Sequence, residues 1–141
     1  MAALWLVDTS AWIFALGTRP FAPIKHRVDR LLSEGRVLIT GVVELELLGG
    51  ARTQNEFQDL KELLGGLGRI NTREQDWALA AELAFQLRRA GHTLPFTDIL
   101  IAHQAHRARA GIVHADHDFR VVCREFRIDQ NDFSAAVADQ G

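Results

Sequence analysis

Short apolar runs alternate along this chain with longer stretches in which apolar residues recur every three or four positions. Residues 3–7 (Ala-Leu-Trp-Leu-Val) are apolar throughout. Continuous rather than alternating hydrophobicity suits a strand buried on both faces of a parallel sheet. Residues 37–39 (Val-Leu-Ile) and 111–114 (Gly-Ile-Val-His) repeat the pattern. Residues 68–71 read as a turn or a minimal strand, and 120–123 (Arg-Val-Val-Cys) as a last edge strand. Between these runs lie helical patterns. Residues 11–16 form a short one that ends near Gly17. Val28, Leu31 and Leu32 mark another within 21–33, and a third over 42–48 is stopped by Gly49 and Gly50. Phe57, Leu60, Leu63 and Leu64 give 54–64 an apolar stripe. A capping-box pattern at Thr72–Gln75 opens a long helix to Ala90, with Gly91 as its C′ residue. Thr97 reads as the N-cap of a final helix reaching about Ala110. Residues 131–141 read as a polar tail that frays. Alternating strands and helices predict an α/β fold, a parallel sheet covered on both faces.

At 141 residues the chain is expected to form one domain, 1–141, with length enough to bury a proper core. A net charge of −2 denies it the bulk basic field of many nucleic-acid binders, though not a local basic rim. Cys123 is the only cysteine, so no internal disulfide can form, and a reducing cytoplasm is expected. The first seven residues lack a basic n-region, and no apolar run is long enough to span a membrane.

Three aspartates and one of two neighbouring glutamates change the picture. Asp8 stops the first strand, and Asp116 follows the run 111–114. Asp98 falls in the first turn of a largely apolar helix, where the helix dipole favours a carboxylate. Glu44 and Glu46 lie on the helix after the second strand. They are two residues apart, so they leave it roughly 200° from one another and only one can face a given pocket. Asp8 and Asp98 each have a plain reading as a helix-capping acid. Parallel strands, however, set their carboxyl ends on one edge of the sheet, where these acids can converge. Converging carboxylates repel, and a divalent cation removes that penalty. Oxygen ligands alone select Mg²⁺ or Mn²⁺ over zinc or copper. The implied chemistry is metal-assisted phosphodiester hydrolysis.

The run Leu6-Val7-Asp8-Thr9-Ser10-Ala11-Trp12-Ile13 resembles the opening of PIN-domain ribonucleases, in particular VapC-type toxins of bacterial toxin–antitoxin pairs. Glu46 followed four residues later by Gly50 resembles their second motif, Thr97-Asp98-Ile99-Leu100-Ile101-Ala102 their third, and Ala115-Asp116-His117-Asp118-Phe119 their fourth. The four motifs stand in order over nearly the whole chain. The resemblance implies a three-layer α/β/α sandwich with a central parallel sheet of about five strands. It implies Mg²⁺- or Mn²⁺-dependent RNA cleavage leaving a 5′-phosphate, a homodimer, and inhibition by a VapB-type antitoxin. Asp8, Asp98 and Asp116 would hold the metal, Glu46 would serve the metal or its water, and Asp118 would stand behind them or bind a second metal. His114 departs from the family's usual Thr or Ser, and Glu44 from an apolar position.

Arg107, Arg109 and Arg120 are candidate contacts to RNA phosphates near the site, with a solvated face as the alternative. His103 and His106 sit well round the helix from Asp98, against a histidine zinc site. Trp5, Trp12 and Trp77 are expected in the core, and Cys123 as an inert buried thiol. Two other readings compete: a PIN-like module that binds RNA or protein without cutting, and a metal-dependent DNase.

Overall fold

The structure, a computed structural model, describes residues 2–139. Five parallel strands form one sheet in the order β3-β2-β1-β4-β5. They are β1 (Trp5–Val7), β2 (Val37–Thr40), β3 (Gly68–Ile70), β4 (Gly111–His114) and β5 (Gln130–Asp132). The helices are α1 (Thr9–Leu16), α2 (Ala22–Ser33), α3 (Gly41–Gly49), α4 (Gln54–Gly65), α5 (Glu74–Arg89), α6 (Phe96–Arg107), α7 (His117–Glu125) and α8 (Ser134–Ala138). α1 packs on α2 and α3, and α3 on α4; α5 packs on α6, and α6 on α7. Right-handed crossovers place the first group on one face of the sheet and the second on the other, which makes the three-layer sandwich.

β1 is central and buried on both faces, as its unbroken apolar run requires. Its Trp5 lies against β4, where a Cβ added to Gly111 would stand 2.6 Å from the indole ring, so only glycine fits. The chain leaves β1 toward β2 on one side, while β4 pairs on the other. That reversal opens a crevice at the carboxyl ends of β1 and β4, the usual ligand position in such sheets.

Several expectations need correction. Residues 120–123 are helical, inside α7, not an edge strand. Phe119, Val122 and Cys123 are buried at helical spacing, which outweighs the local β-branched pair. The edge strand is instead β5, a polar run with no apolar signal, and it is followed by α8 rather than a frayed tail. Gln140 and Gly141 lie outside the described residues. α6 starts one residue before Thr97, with Pro95 at the cap and no side-chain cap bond, and ends at Arg107. α5 is capped at Arg73, whose N–H donates to Asp76 at 2.7 Å; Thr72 instead accepts from Gln104. Trp5 and Trp12 are buried, but Trp77 is 62% exposed. Cys123 is buried, and that burial pushes its thiol up to about 12.

Candidate metal centre

β1 ends directly in Asp8, which caps α1. Asp8 is almost wholly buried, and its Oδ2 accepts from Ser10 N (3.1 Å) and Ser10 Oγ (2.7 Å). Ser10 Oγ in turn accepts from Ala115 N at 3.0 Å, which joins the end of β1 to the loop after β4. In that loop Asp116 caps α7, its Oδ1 accepting from Asp118 N at 2.9 Å. Capping and convergence are thus not alternatives here: the same carboxylates do both, since a strand's carboxyl end leads straight into a helix N-terminus.

Oxygens of Asp98, Asp116 and Asp118 lie within 4.8 Å of one another. Asp98 Oδ2 is shut off from solvent and has no hydrogen-bond partner among the described residues. Burial pushes the Asp98 carboxyl up to about 7, and the charges of Asp8, Asp116, Asp118 and Glu46 push the same way. Burial also raises Asp8, against the lowering from its bonds to Ser10 and Thr9. Desolvation raises Glu46, and the Asp8 charge adds to that rise, while a bond from Thr9 Oγ1 (3.2 Å) opposes it. The orphaned Asp98 oxygen and the all-oxygen donor set fit a hard divalent cation.

The structure thus gathers Asp98, Asp116 and Asp118, and the charges of Asp8 and Glu46 act on Asp98 from beside them. Arg107 and Arg109 lie away from this group, and Arg120 follows Asp118 by two residues on α7. Arg107 lies about 14 Å along α6 from Asp98, and its guanidinium is committed to Asn71 O and Asp76. Arg109 is exposed in the turn before β4, at the opposite end of that strand from Asp116. Arg120 is bound to Asp132 (2.6 Å) and Ser134 (3.0 Å). His103 bonds Asp76 instead, while His114, wholly buried at the end of β4, accepts from the Asp116 backbone N–H. Glu44 points away from the cluster and pairs with Arg69. Thr9 and Ser10 were legible only as helix-start residues; hydroxyls directly after a buried strand-end acid were the signal for their second role.

A groove of about 450 Å³ runs from the cluster between α1, α3 and α4. Thr9 and Glu46 stand at its inner end, Trp12, Ile13, Leu16, Leu47 and Leu60 give it apolar walls, and Arg52 and Glu56 border it. A second, apolar cavity of about 560 Å³ lies between α3, α5 and α6, lined by Val42, Trp77, Phe85, Phe96 and Leu100.

The model of the PIN domain matches residues 5–125. VapC ribonuclease Mb1587 of Mycobacterium bovis and Ribonuclease VapC11 of Mycobacterium tuberculosis are each 39% identical over 124 residues, 84% of this chain and 91% of theirs. Among solved structures, VapBC2 of Rickettsia felis bound to a promoter DNA fragment superposes with a TM-score of 0.73 at 18% identity. That match covers 92% of this chain and 98% of the other. Carboxylates gathered at the switch point of a five-stranded parallel sheet, on a chain this similar to ribonucleases, leave one assignment: the chain belongs to the PIN-domain family, with the VapC-type ribonucleases.

Proposed function

We propose that this chain is an Mg²⁺- or Mn²⁺-dependent endoribonuclease, the toxin of a toxin–antitoxin pair acting in the cytoplasm. The observation that carries the reading is Asp98: its carboxylate lies with those of Asp116 and Asp118, and its Oδ2 is buried with no hydrogen-bond partner among the described residues. Asp8, Asp98 and Asp116 would hold the ion, Asp118 would back them, and Glu46 would stand beside them. When bound, such an ion neutralises a phosphate oxygen and makes water a stronger nucleophile. The chain's own residues do the rest. Ser10 fixes Asp8 and the Ala115 amide together, so the two strand ends keep their spacing. Thr9 holds one oxygen of Glu46, leaving the other to accept a proton from the attacking water. Water's oxygen bonds to phosphorus as the bond to the 3′ oxygen breaks; that oxygen takes a proton from solvent, leaving a 5′-phosphate and a 3′-hydroxyl. Purified protein is expected to cut RNA with Mg²⁺ or Mn²⁺ and to stop in excess EDTA. Full activity in EDTA, zinc as the sole effective ion, or cleavage of DNA alone would each refute it.

The antitoxin's place is supported by the groove that opens at Glu46: its apolar walls suit one face of a helix, and the acids at its end suit an arginine. Two of the solved structures of similar fold, from Rickettsia felis and nontypeable Haemophilus influenzae, are described as VapBC, which agrees with such a partner. The homodimer is supported by the other face. Trp77, Phe85 and Phe96 are 62%, 62% and 79% exposed around one apolar cavity, more large aromatic surface than a monomer usually shows to water. Trp77→Glu is expected to shift the protein from dimer to monomer in light scattering. A wild-type monomer at micromolar concentration would remove this part of the reading.

A further inference from the structure

We propose that His114 is a positioning residue for Asp116, holding the metal centre's geometry from the edge strand β5. The inference rests on the metal-dependent reading above. His114 is 0% exposed, and its ring packs against Phe119 at 5.6 Å between centroids. Its Nδ1 faces the backbone N–H of Asp116 at 3.3 Å. Its Nε2 lies 2.8 Å from Gln130 Oε1 on β5. With Nδ1 accepting from the Asp116 N–H, Nε2 is the ring nitrogen that donates to Gln130. Asp132 Oδ1 is 3.8 Å from Nδ1, beyond hydrogen-bond range. Asp132 is hydrogen-bonded by Ser134 and Arg120, and it meets the ring only as a nearby charge.

The first of these bonds closes a turn from residue 114 to the amide of residue 116, the same turn that Ser, Thr, Asn or Asp side chains make. A serine or threonine here would keep that bond, but its side chain ends one atom past Cβ. The imidazole extends across to β5, so Gln130, the ring and the Asp116 amide form one line. Ser10 pins the Ala115 amide from the other side. The two amides that lead into the Asp116 carboxylate are thereby held from opposite directions, one from β1 and one from β5. Bonds behind a ligand that fix its orientation commonly change metal affinity about 10- to 100-fold when removed.

The test is a Mn²⁺ titration read by electron paramagnetic resonance on wild type, H114L, H114S, Q130L and H114S/Q130L. Unfolding of each variant in EDTA is measured alongside. H114L leaves the Asp116 amide without an acceptor and is expected to weaken Mn²⁺ binding about tenfold or more. Q130L loses the link to β5, and H114S loses that link together with the ring's packing on Phe119, which the unfolding measurement reads; each is expected to cost a few-fold in Mn²⁺ binding. The double variant should cost no more than either alone, because serine does not reach Gln130. Additive losses in the double variant would overturn the proposal. So would wild-type Mn²⁺ affinity in folded H114L, whatever its melting temperature, since a purely structural histidine changes stability alone. If H114L does not fold, the serine–leucine cycle decides. A wild-type protein that binds no Mn²⁺ would remove the metal reading itself, an outcome distinct from a binding wild type with indifferent variants.

Discussion

Asp98→Asn is expected to abolish RNA cleavage and, in the absence of metal, to make the protein more stable. Both follow from one carboxylate. Asp98 lies with Asp116 and Asp118, feels Asp8 and Glu46 as well, and has a buried oxygen with no hydrogen-bond partner among the described residues. Its folded pKa is about 7, above the ordinary value of 3.8. A carboxyl raised on folding contributes stability in full below its unfolded pKa and loses it as pH rises through the folded value. The metal-free wild type should therefore gain stability as pH falls from 8 to 5. Asp8 and Glu46, also raised, act in the same direction. Asp76 and Asp132 are lowered, and their contributions fade only near and below pH 4, outside this window. Asparagine keeps the shape, carries no charge, and can donate to the neighbouring carboxylates. In EDTA at pH 8, Asp98→Asn should melt on the order of 5 °C above wild type, and the gap should close toward pH 5. Mg²⁺ should raise the wild-type melting temperature by mass action and leave the variant's nearly unmoved. Cleavage should fall on the order of 10³-fold or more, as when an oriented electrostatic group is lost. A variant less stable than wild type in EDTA at pH 8 would show that Asp98 is not held in a repulsive cluster.

The parts of this fold that were legible in the sequence are those whose signal is burial. β1, β2 and β4 are continuous apolar runs because helices cover both their faces. The acids were legible because each ends a strand or opens a helix, and parallel topology then collects such positions on one edge. What escaped was set by partners distant in sequence. β5 is Gln-Asn-Asp; its reason to be a strand is the β4 edge, which accepts it in register from Ile112 to His114. Residues 120–123 carry β-branched neighbours yet lie in α7, because Phe119, Val122 and Cys123 must reach the core together. Trp77 sits at a position that looks like core on its own helix, but its side chain projects onto a face that a single chain leaves open. The three arginines show the same limit. Charge and proximity in sequence to an acid say nothing of which carboxylate claims a guanidinium, and here Asp76 takes Arg107 while Asp132 takes Arg120.

Glu46 and Glu44 offer the sharpest contrast on one helix, and Glu46→Gln is expected to cost on the order of 10²-fold in cleavage while Glu44→Gln costs a few-fold. Two residues apart on α3, the side chains diverge by roughly 200°. Glu46 accepts from Thr9, feels Asp8 and adds to the repulsion on Asp98. Its charge thus belongs to the cluster, and glutamine would keep the Thr9 bond while removing both that charge and the oxygen free to take a proton. Glu44 turns the other way and pairs with Arg69 on β3. Both partners of that pair are part-exposed, so it contributes about 0.2–1 kcal/mol to stability and nothing to the chemistry. The two variants should share a circular dichroism spectrum and differ in rate at saturating Mg²⁺. Metal-free stability should separate them too: Glu46→Gln relieves repulsion and should hold or raise the melting temperature at pH 8, while Glu44→Gln should lower it slightly. A dead Glu44→Gln beside an active Glu46→Gln would place the second motif two residues earlier and turn α3 by more than half a circle relative to the site.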